Sequence, residues 1–308
     1  MRALVTGGTG FVGNRLVLYL ARNGWDVTCL VRRPVIPRFK QVDCVIAELD
    51  ALGGAEIRQS LPQNIDCVFH LAATIAGPDW PPSRYLAANG AGTSAVLEVA
   101  EACKARSFVN TSTQLVIGKP ERTPFGTDHP MRPESPYALS KLAGEMACEL
   151  FRRCGRIAAT SLRLTSVIGV GMAVGSVLPL FASRALRSET LAYHGAGARV
   201  QNFVHVDDVV RACVLAAGHP GSGVLIAGGA DSLSMKDLAG LVVRLTPGST
   251  SRVTASGRPD AQDDYRWIPE LEPARAAVGY APCIPLDTFL PEYIESIAHP
   301  RPIERWWE

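Results

Sequence analysis

The sequence predicts a doubly wound α/β fold, a parallel sheet covered by helices on both faces, with a smaller C-terminal lobe. Three features predict it. Short β-branched runs alternate with helical periodicity from the first residue, the strands read as continuously apolar, and a glycine turn, "VTGGTGFVG", joins the first strand to the first helix. Continuous apolar strands between helices are buried on both faces, as parallel strands joined by helical crossovers must be.

The elements follow in order. "ALVT" is the first strand, "FVGNRLVLYLARNG" the first helix and "DVTCLV" the second strand. "CVIA" and "IDCVFHLA" are further strands, "NGAGTSAVLEVAEACKA" a helix, "SFVNTS" a strand, "SPYALSK" the opening of a helix and "ATSLRLTSVIG" a strand. After about Ser166 the pattern loosens into Gly- and Pro-rich stretches such as "GVGMAVGSVLP", and a regular strand–helix unit returns in "NFVHVDDVVRACVLAAG". A sheet domain is therefore expected over 1–165, with segment 200–220 returning to it. Segments 166–199 and 221–308 are expected to build a substrate-binding lobe.

Composition narrows the function. The 308 residues carry a formal charge of +2 and no basic cluster, which argues against a nucleic-acid partner. No apolar run reaches the roughly 20 residues of a membrane span, and "MRALVTGG" leads straight into a strand, so a soluble, cytoplasmic protein is expected. The eight cysteines are scattered without metal-site spacing, and the six histidines do not cluster. Reduced core thiols and no metal are the expectation.

In the glycine turn, Gly7 allows a tight bend, Gly10 lets the backbone approach a pyrophosphate and Gly13 lets helix and strand pack closely. Thr9, Phe11 and Val12 complete the expected cofactor-binding stretch. Where an NAD site usually places a carboxylate against the ribose, the chain has Val31, Arg32 and Arg33. Two guanidinium groups there suit a 2′-phosphate, so NADP is the expected cofactor and NAD the alternative. In "SPYALSK", Tyr137 and Lys141 fall on one face of a helix, one turn apart. A neighbouring ammonium favours the phenolate, so Lys141 is expected to lower the Tyr137 pKa and make the phenol a proton donor or acceptor.

Taken with "AELD", "HLAA", "NGAGT", "TSTQLVIG", "RLTSVIGVG" and "NFVHVDDVVRA", these motifs resemble the extended short-chain dehydrogenase/reductase family of the nucleotide-sugar epimerase/dehydratase type, a Rossmann fold, over nearly the whole chain. The resemblance implies that Glu48 and Leu49 flank the adenine, and that Leu71, Ala72 and Ala73 line the cofactor after the fourth strand. It makes Thr113, Tyr137 and Lys141 the catalytic residues, with Lys141 also holding the nicotinamide ribose. It places Thr74, Ser166, Arg199, Gln201 and Arg258 toward a small-molecule substrate, and it implies a homodimer. Asn89 and Thr93 read equally as helix-start residues or as functional ones, His205 as a core histidine, and at least one of Asp207 and Asp208 as a helix cap.

Besides Glu270, which stands where Asp is usual in the closing helix, the pattern departs from the family in three places that bear on the reaction and the substrate. Gln114 and Leu115 stand where water-eliminating members carry an acidic pair, which disfavours sugar dehydration. Ser166 stands where Asn is usual, and Gln201 where an Arg binds the nucleotide diphosphate. A keto-reductase acting on a keto-sugar nucleotide or a related small ketone is therefore expected. A nucleotide-sugar epimerase is the alternative, and a non-catalytic NADP-binding sensor the second alternative.

Overall fold

The computed structural model describes residues 1–48, 60–75 and 80–308. Its main body is a seven-stranded sheet in the order β10-β6-β5-β4-β1-β2-β3, every described pairing parallel. The strands are β1 (Arg2–Thr6), β2 (Asp26–Val31), β3 (Val42–Ile46), β4 (Cys67–His70), β5 (Ser107–Thr113), β6 (Ala158–Leu164) and β10 (Gly223–Ala227). Strand order reverses between β1 and β4. In such sheets ligands bind where the order reverses, outside the carboxyl ends of the strands.

Both faces are covered. On one, α1 (Phe11–Arg22) and α6 (Val206–Gly218) press Leu16, Leu20, Val209 and Cys213 against Val5, Cys29 and Phe69. On the other, α3 (Gly92–Ala102) and α4 (Pro136–Arg153) bury Val96, Leu97, Cys148 and Phe151 against Val68 and Phe108. The short α2 (Pro82–Tyr85) runs through a π-helical turn, Leu86–Ala91, into α3. Cys29, Cys67, Cys103, Cys148 and Cys213 are buried, and no disulfide joins any of the eight cysteines.

Of the segment expected to return to the sheet, α6 packs on α1, whereas β9 (Val200–His205) joins a smaller sheet in the order β11-β9-β7. That sheet is completed by β7 (Ser166–Ile168) and β11 (Asp231–Ser234). The outermost strand of the large sheet instead comes from β10, further along the chain. A separate apolar cluster joins α5 (Val177–Leu186), α7 (Met235–Leu245) and α9 (Leu286–Ala298) through Leu178, Phe181, Leu238, Val242 and Leu290. The remaining elements are a two-stranded pair, β8 (Leu191–Tyr193) with β12 (Val253–Ala255), and α8 (Glu272–Val278). Among the described residues no helix is long and apolar enough to cross a membrane.

Candidate active site

The glycine turn sits at the carboxyl end of β1, and geometry requires glycine at Gly7 and Gly13. Gly7 has φ +72°, and a Cβ there would lie 2.5 Å from the Ala72 nitrogen. A Cβ on Gly13 would lie 2.1 Å from the Gly7 oxygen. Gly10 N donates to Gly7 O at 2.9 Å and opens α1 without any side-chain cap or first-turn acid. Uncapped N–H groups at a helix start, with backbone close by and no carboxylate to compete, form a seat for an anion. These residues therefore fit the pyrophosphate of a dinucleotide.

The segment after β4 closes on the same turn. Leu71 N donates to Thr6 O at 3.1 Å and Ala72 N to Thr6 Oγ1 at 3.3 Å, which brings Leu71, Ala72 and Ala73 beside the glycines. Arg32 and Arg33 follow β2 with exposed side chains and no ion pair among the described residues. Glu48 is exposed just beyond β3, and Leu49 lies outside the described residues.

Helix α4 begins cleanly. Ser135 Oγ accepts from Ala138 N at 3.1 Å and Pro136 takes the first helical position, where its missing N–H costs nothing. Tyr137 is partly buried and Lys141 is 3% exposed. Burial pushes the Tyr137 phenol up to about 12. It pulls the Lys141 ammonium down to about 8, against the opposing pull of Cys148 and Glu145. This reverses the expectation that Lys141 lowers the phenol: loss of water is the cause that acts on Tyr137, and it disfavours the phenolate. In the free protein Tyr137 thus holds its proton. Thr113, at the end of β5, accepts from Leu115 N at 3.3 Å, which leaves its hydroxyl hydrogen available to a ligand oxygen. Helix α4 packs on β5 and on the 3₁₀ turn Gln114–Ile117, so the three expected catalytic residues stand on contacting elements. Gln114 is 2% exposed and its Oε1 has no partner among the described residues, whereas Leu115 is exposed.

Two residues outside the sequence-based set of site residues hold this arrangement together. His70 is fully buried, with Nδ1 2.7 Å from Thr6 Oγ1 and Nε2 3.0 Å from Thr93 Oγ1. Burial, with Lys141 as a lesser cause, pushes its pKa down to about 3, so it is a neutral bridge. Asn89 Oδ1 accepts from Thr74 N at 2.8 Å, while its Nδ2 donates to Thr74 O at 3.0 Å and to Ser140 Oγ at 2.8 Å. Ser140 Oγ in turn donates to the Tyr137 carbonyl at 2.7 Å. Asn89 lies within the π-helical turn and is no helix cap; it ties the Thr74 loop to the catalytic helix. Such turns are frequent at functional sites. The motifs "HLAA" and "NGAGT" mark both residues in the sequence, but the partners come from distant segments.

On the substrate side, Gln201 Nε2 donates to Ser166 Oγ, so the two departures from the family pattern bond to each other. Both line a cavity of about 280 Å³ with Arg199, Ile168, Leu178 and Met235. Arg199 is engaged there: Nε lies 3.3 Å from Asp260, and Nη1 donates to Gln262 Oε1 at 3.2 Å. Arg258 is exposed and does not line this cavity, and Thr74 lies apart, beside Asn89. His205 is the cap of α6, its Nδ1 accepting from Asp207 N at 3.2 Å, so neither aspartate takes that role. Asp207 pairs with Arg15 at 2.6 Å, and the fully buried Asp208 accepts from Cys283 N and Ile284 N at 3.1 Å.

Residues 3–227 match the NAD dependent epimerase/dehydratase family. The chain is 28% identical over 305 residues to UDP-glucuronic acid decarboxylase 1 of Danio rerio, covering 96% of this chain and 72% of that protein. It is 32% identical over 243 residues to UDP-glucose 4-epimerase of Mycolicibacterium smegmatis, covering 72% and 75%. Among solved structures, UDP-glucose 4-epimerase of Thermotoga maritima with UDP-glucose superposes with a TM-score of 0.83 at 27% identity, covering 97% of this chain and 99% of that one. MoeE5 in complex with UDP-glucuronic acid and NAD gives 0.81 at 28% identity, covering 96% and 98%.

Proposed function

The chain belongs to the NAD-dependent epimerase/dehydratase family, and from that premise we propose that it epimerises a sugar-nucleotide-like alcohol through a transient ketone, without loss of water. The observation that carries this reading is the pairing of Thr113, Tyr137 and Lys141 with a buried neutral amide at Gln114 and an apolar Leu115. Redox chemistry at an alcohol carbon has its proton-handling groups there. Elimination of water lacks its acid.

Bound at the glycine turn, a nicotinamide dinucleotide supplies reversible hydride exchange with an alcohol carbon. The chain does the rest. The amides opening α1 would bind the pyrophosphate, and Lys141 Nζ would hold the ribose hydroxyls. Thr113 Oγ1 donates to the reacting oxygen, and Tyr137 Oη, which must first release its own proton to solvent, takes the alcohol proton and later returns it. Inversion requires the ketone to turn over within the site before the proton is handed back.

Net reduction of a ketone is the second reading. Arg32 and Arg33, exposed and without an ion pair among the described residues, favour NADPH as a consumable reductant, and the Tyr137 phenol already carries the proton that a ketone oxygen would take. NADP is accordingly the cofactor we propose, with NAD, which its structural relative binds, as the alternative. The neutral Ser166–Gln201 pair and the engaged Arg199 support a substrate whose phosphates are held less tightly than those of a standard nucleotide sugar. Leu139, Met146 and Leu150, exposed along one face of α4, support a homodimer through that helix.

The test is product analysis with UDP-glucose, UDP-galactose, UDP-glucuronic acid and their keto derivatives, with the absorbance of reduced nicotinamide followed in parallel. Epimerisation gives a new sugar with no net absorbance change. Loss of one NADPH per product establishes the reductase, and an unsaturated or deoxy product defeats both readings.

A further inference from the structure

The segment following α9 returns to the glycine turn. Residues 299–305 are exposed, but Trp306 is fully buried, and a Cβ on Gly8 would sit 3.6 Å from its ring. Trp306 Nε1 donates to the carbonyl of the buried Gly8 at 2.7 Å. The Trp306 amide donates to Asn14 Oδ1 at 3.4 Å, and Asn14 Nδ2 donates to Glu304 O at 2.8 Å, so the opening of α1 is held as well. On the far side, Arg38 N donates to Trp306 O at 2.8 Å, Glu308 N donates to Ile36 O at 3.0 Å, and Pro37 bridges to Trp307. Residues 36–38 follow closely on Arg32 and Arg33.

The same few residues thus fasten two parts of the dinucleotide seat, the turn that would take the pyrophosphate and the loop that would take the ribose phosphate. Trp306 does so from within the core cluster that also holds Leu16, Val17 and Cys29. A cavity of about 820 Å³, lined by Thr9, Gly10, Phe11, Arg301, Ile303 and Arg305, lies where the segment meets the opening of α1. The indole N–H and the backbone amide of Trp306 thus bond toward the glycine turn and α1, while its carbonyl bonds toward Arg38. A turn containing Gly7, Gly8 and Gly10 loses conformational freedom when a ligand orders it, unless something has ordered it already.

Resting on the reading that this turn binds a dinucleotide, we propose that residues 304–308, anchored by Trp306, are a positioning element for the cofactor. They hold the glycine turn and the arginine loop in register, and so set both the affinity and the preference between NADP and NAD.

The test compares full-length Trp306→Phe, which keeps a ring and loses the donor to Gly8, with Trp267→Phe. Trp267 is 1% exposed and sits in a different cluster with Phe125 and Tyr265. Dissociation constants for NADPH and NADH are measured by calorimetry without substrate, alongside melting temperatures. Trp306→Phe should weaken binding about fivefold, the worth of one buried hydrogen bond, and should narrow the NADPH/NADH ratio. Trp267→Phe should lower only the melting temperature. In the wild type, NADPH should slow hydrogen exchange at the amides of Arg38, Trp306 and Glu308, a readout that stands if the Phe variant does not fold. A Trp306→Phe variant that loses only melting temperature, or unchanged exchange at those amides, overturns the proposal. A wild type that binds neither dinucleotide removes the underlying reading and the proposal with it.

Discussion

Replacing Lys141 by Met should kill turnover and stabilise the protein. Lys141 is 3% exposed, and burial takes its ammonium from 10.5 to about 8 even though Glu145 and Cys148 pull the other way. A fall of that size penalises the charged form by about 3 kcal/mol. The folded chain bears this cost at neutral pH, and the unfolded chain does not. Because the lowered folded-state pKa means the unfolded lysine binds more protons between pH 8 and 10.5, stability rises with pH across that window. Met has a similar length and no charge, and the Glu145 carboxylate keeps its partner Arg163 at 2.8 Å. The variant should therefore gain up to about 3 kcal/mol at about pH 7, and the gain should fade toward about pH 10.5. Urea unfolding without cofactor, near neutral pH and again near the upper end of that window, measures this. A Met variant less stable than wild type at neutral pH, or a difference that ignores pH, refutes the claim that a buried ammonium is held here at a cost.

Tyr137→Phe should reduce turnover by about 100-fold or more while leaving the dinucleotide affinity within about twofold, because it removes only the transferable proton; titration of NADPH fluorescence checks the second half. Arg32→Ala should cut the preference for NADP over NAD by about tenfold, the worth of one charge-assisted phosphate contact. Equal kcat/KM for the two cofactors in the wild type would contradict the premise. Gln201→Arg exchanges the bond to Ser166 for a guanidinium in the 280 Å³ cavity, and should tighten UDP binding about tenfold by calorimetry. Unchanged affinity would mean that the diphosphate does not reach that cavity.

What the sequence revealed, and what it withheld, follows from the range of the forces involved. The large sheet is legible because β1, β2 and β4 are short, mainly apolar runs whose burial is written in consecutive residues. The glycine turn is legible because Gly7 and Gly13 answer local steric demands. The small sheet is not, since β7, β9 and β11 are three to six residues each and pair across long stretches of chain. The same holds for Trp306 with Gly8, 298 residues apart, and for Asn89 with Ser140, 51 apart. The spacing of Tyr137 and Lys141 predicts that they share a helix face, but their pKa directions depend on how much water the surrounding elements remove. No four-residue interval carries that information.

The most direct measurement is to run the reaction on a UDP-hexose in deuterium oxide with catalytic dinucleotide and read the product by proton NMR. If hydride leaves and returns at one carbon and no water is lost, the inverted carbon carries protium and the absorbance of reduced nicotinamide shows no net change. Deuterium built into the sugar carbon skeleton, or a deoxy product, would show that the chemistry passes through elimination and would contradict the roles of Thr113, Tyr137, Lys141 and the neutral Gln114.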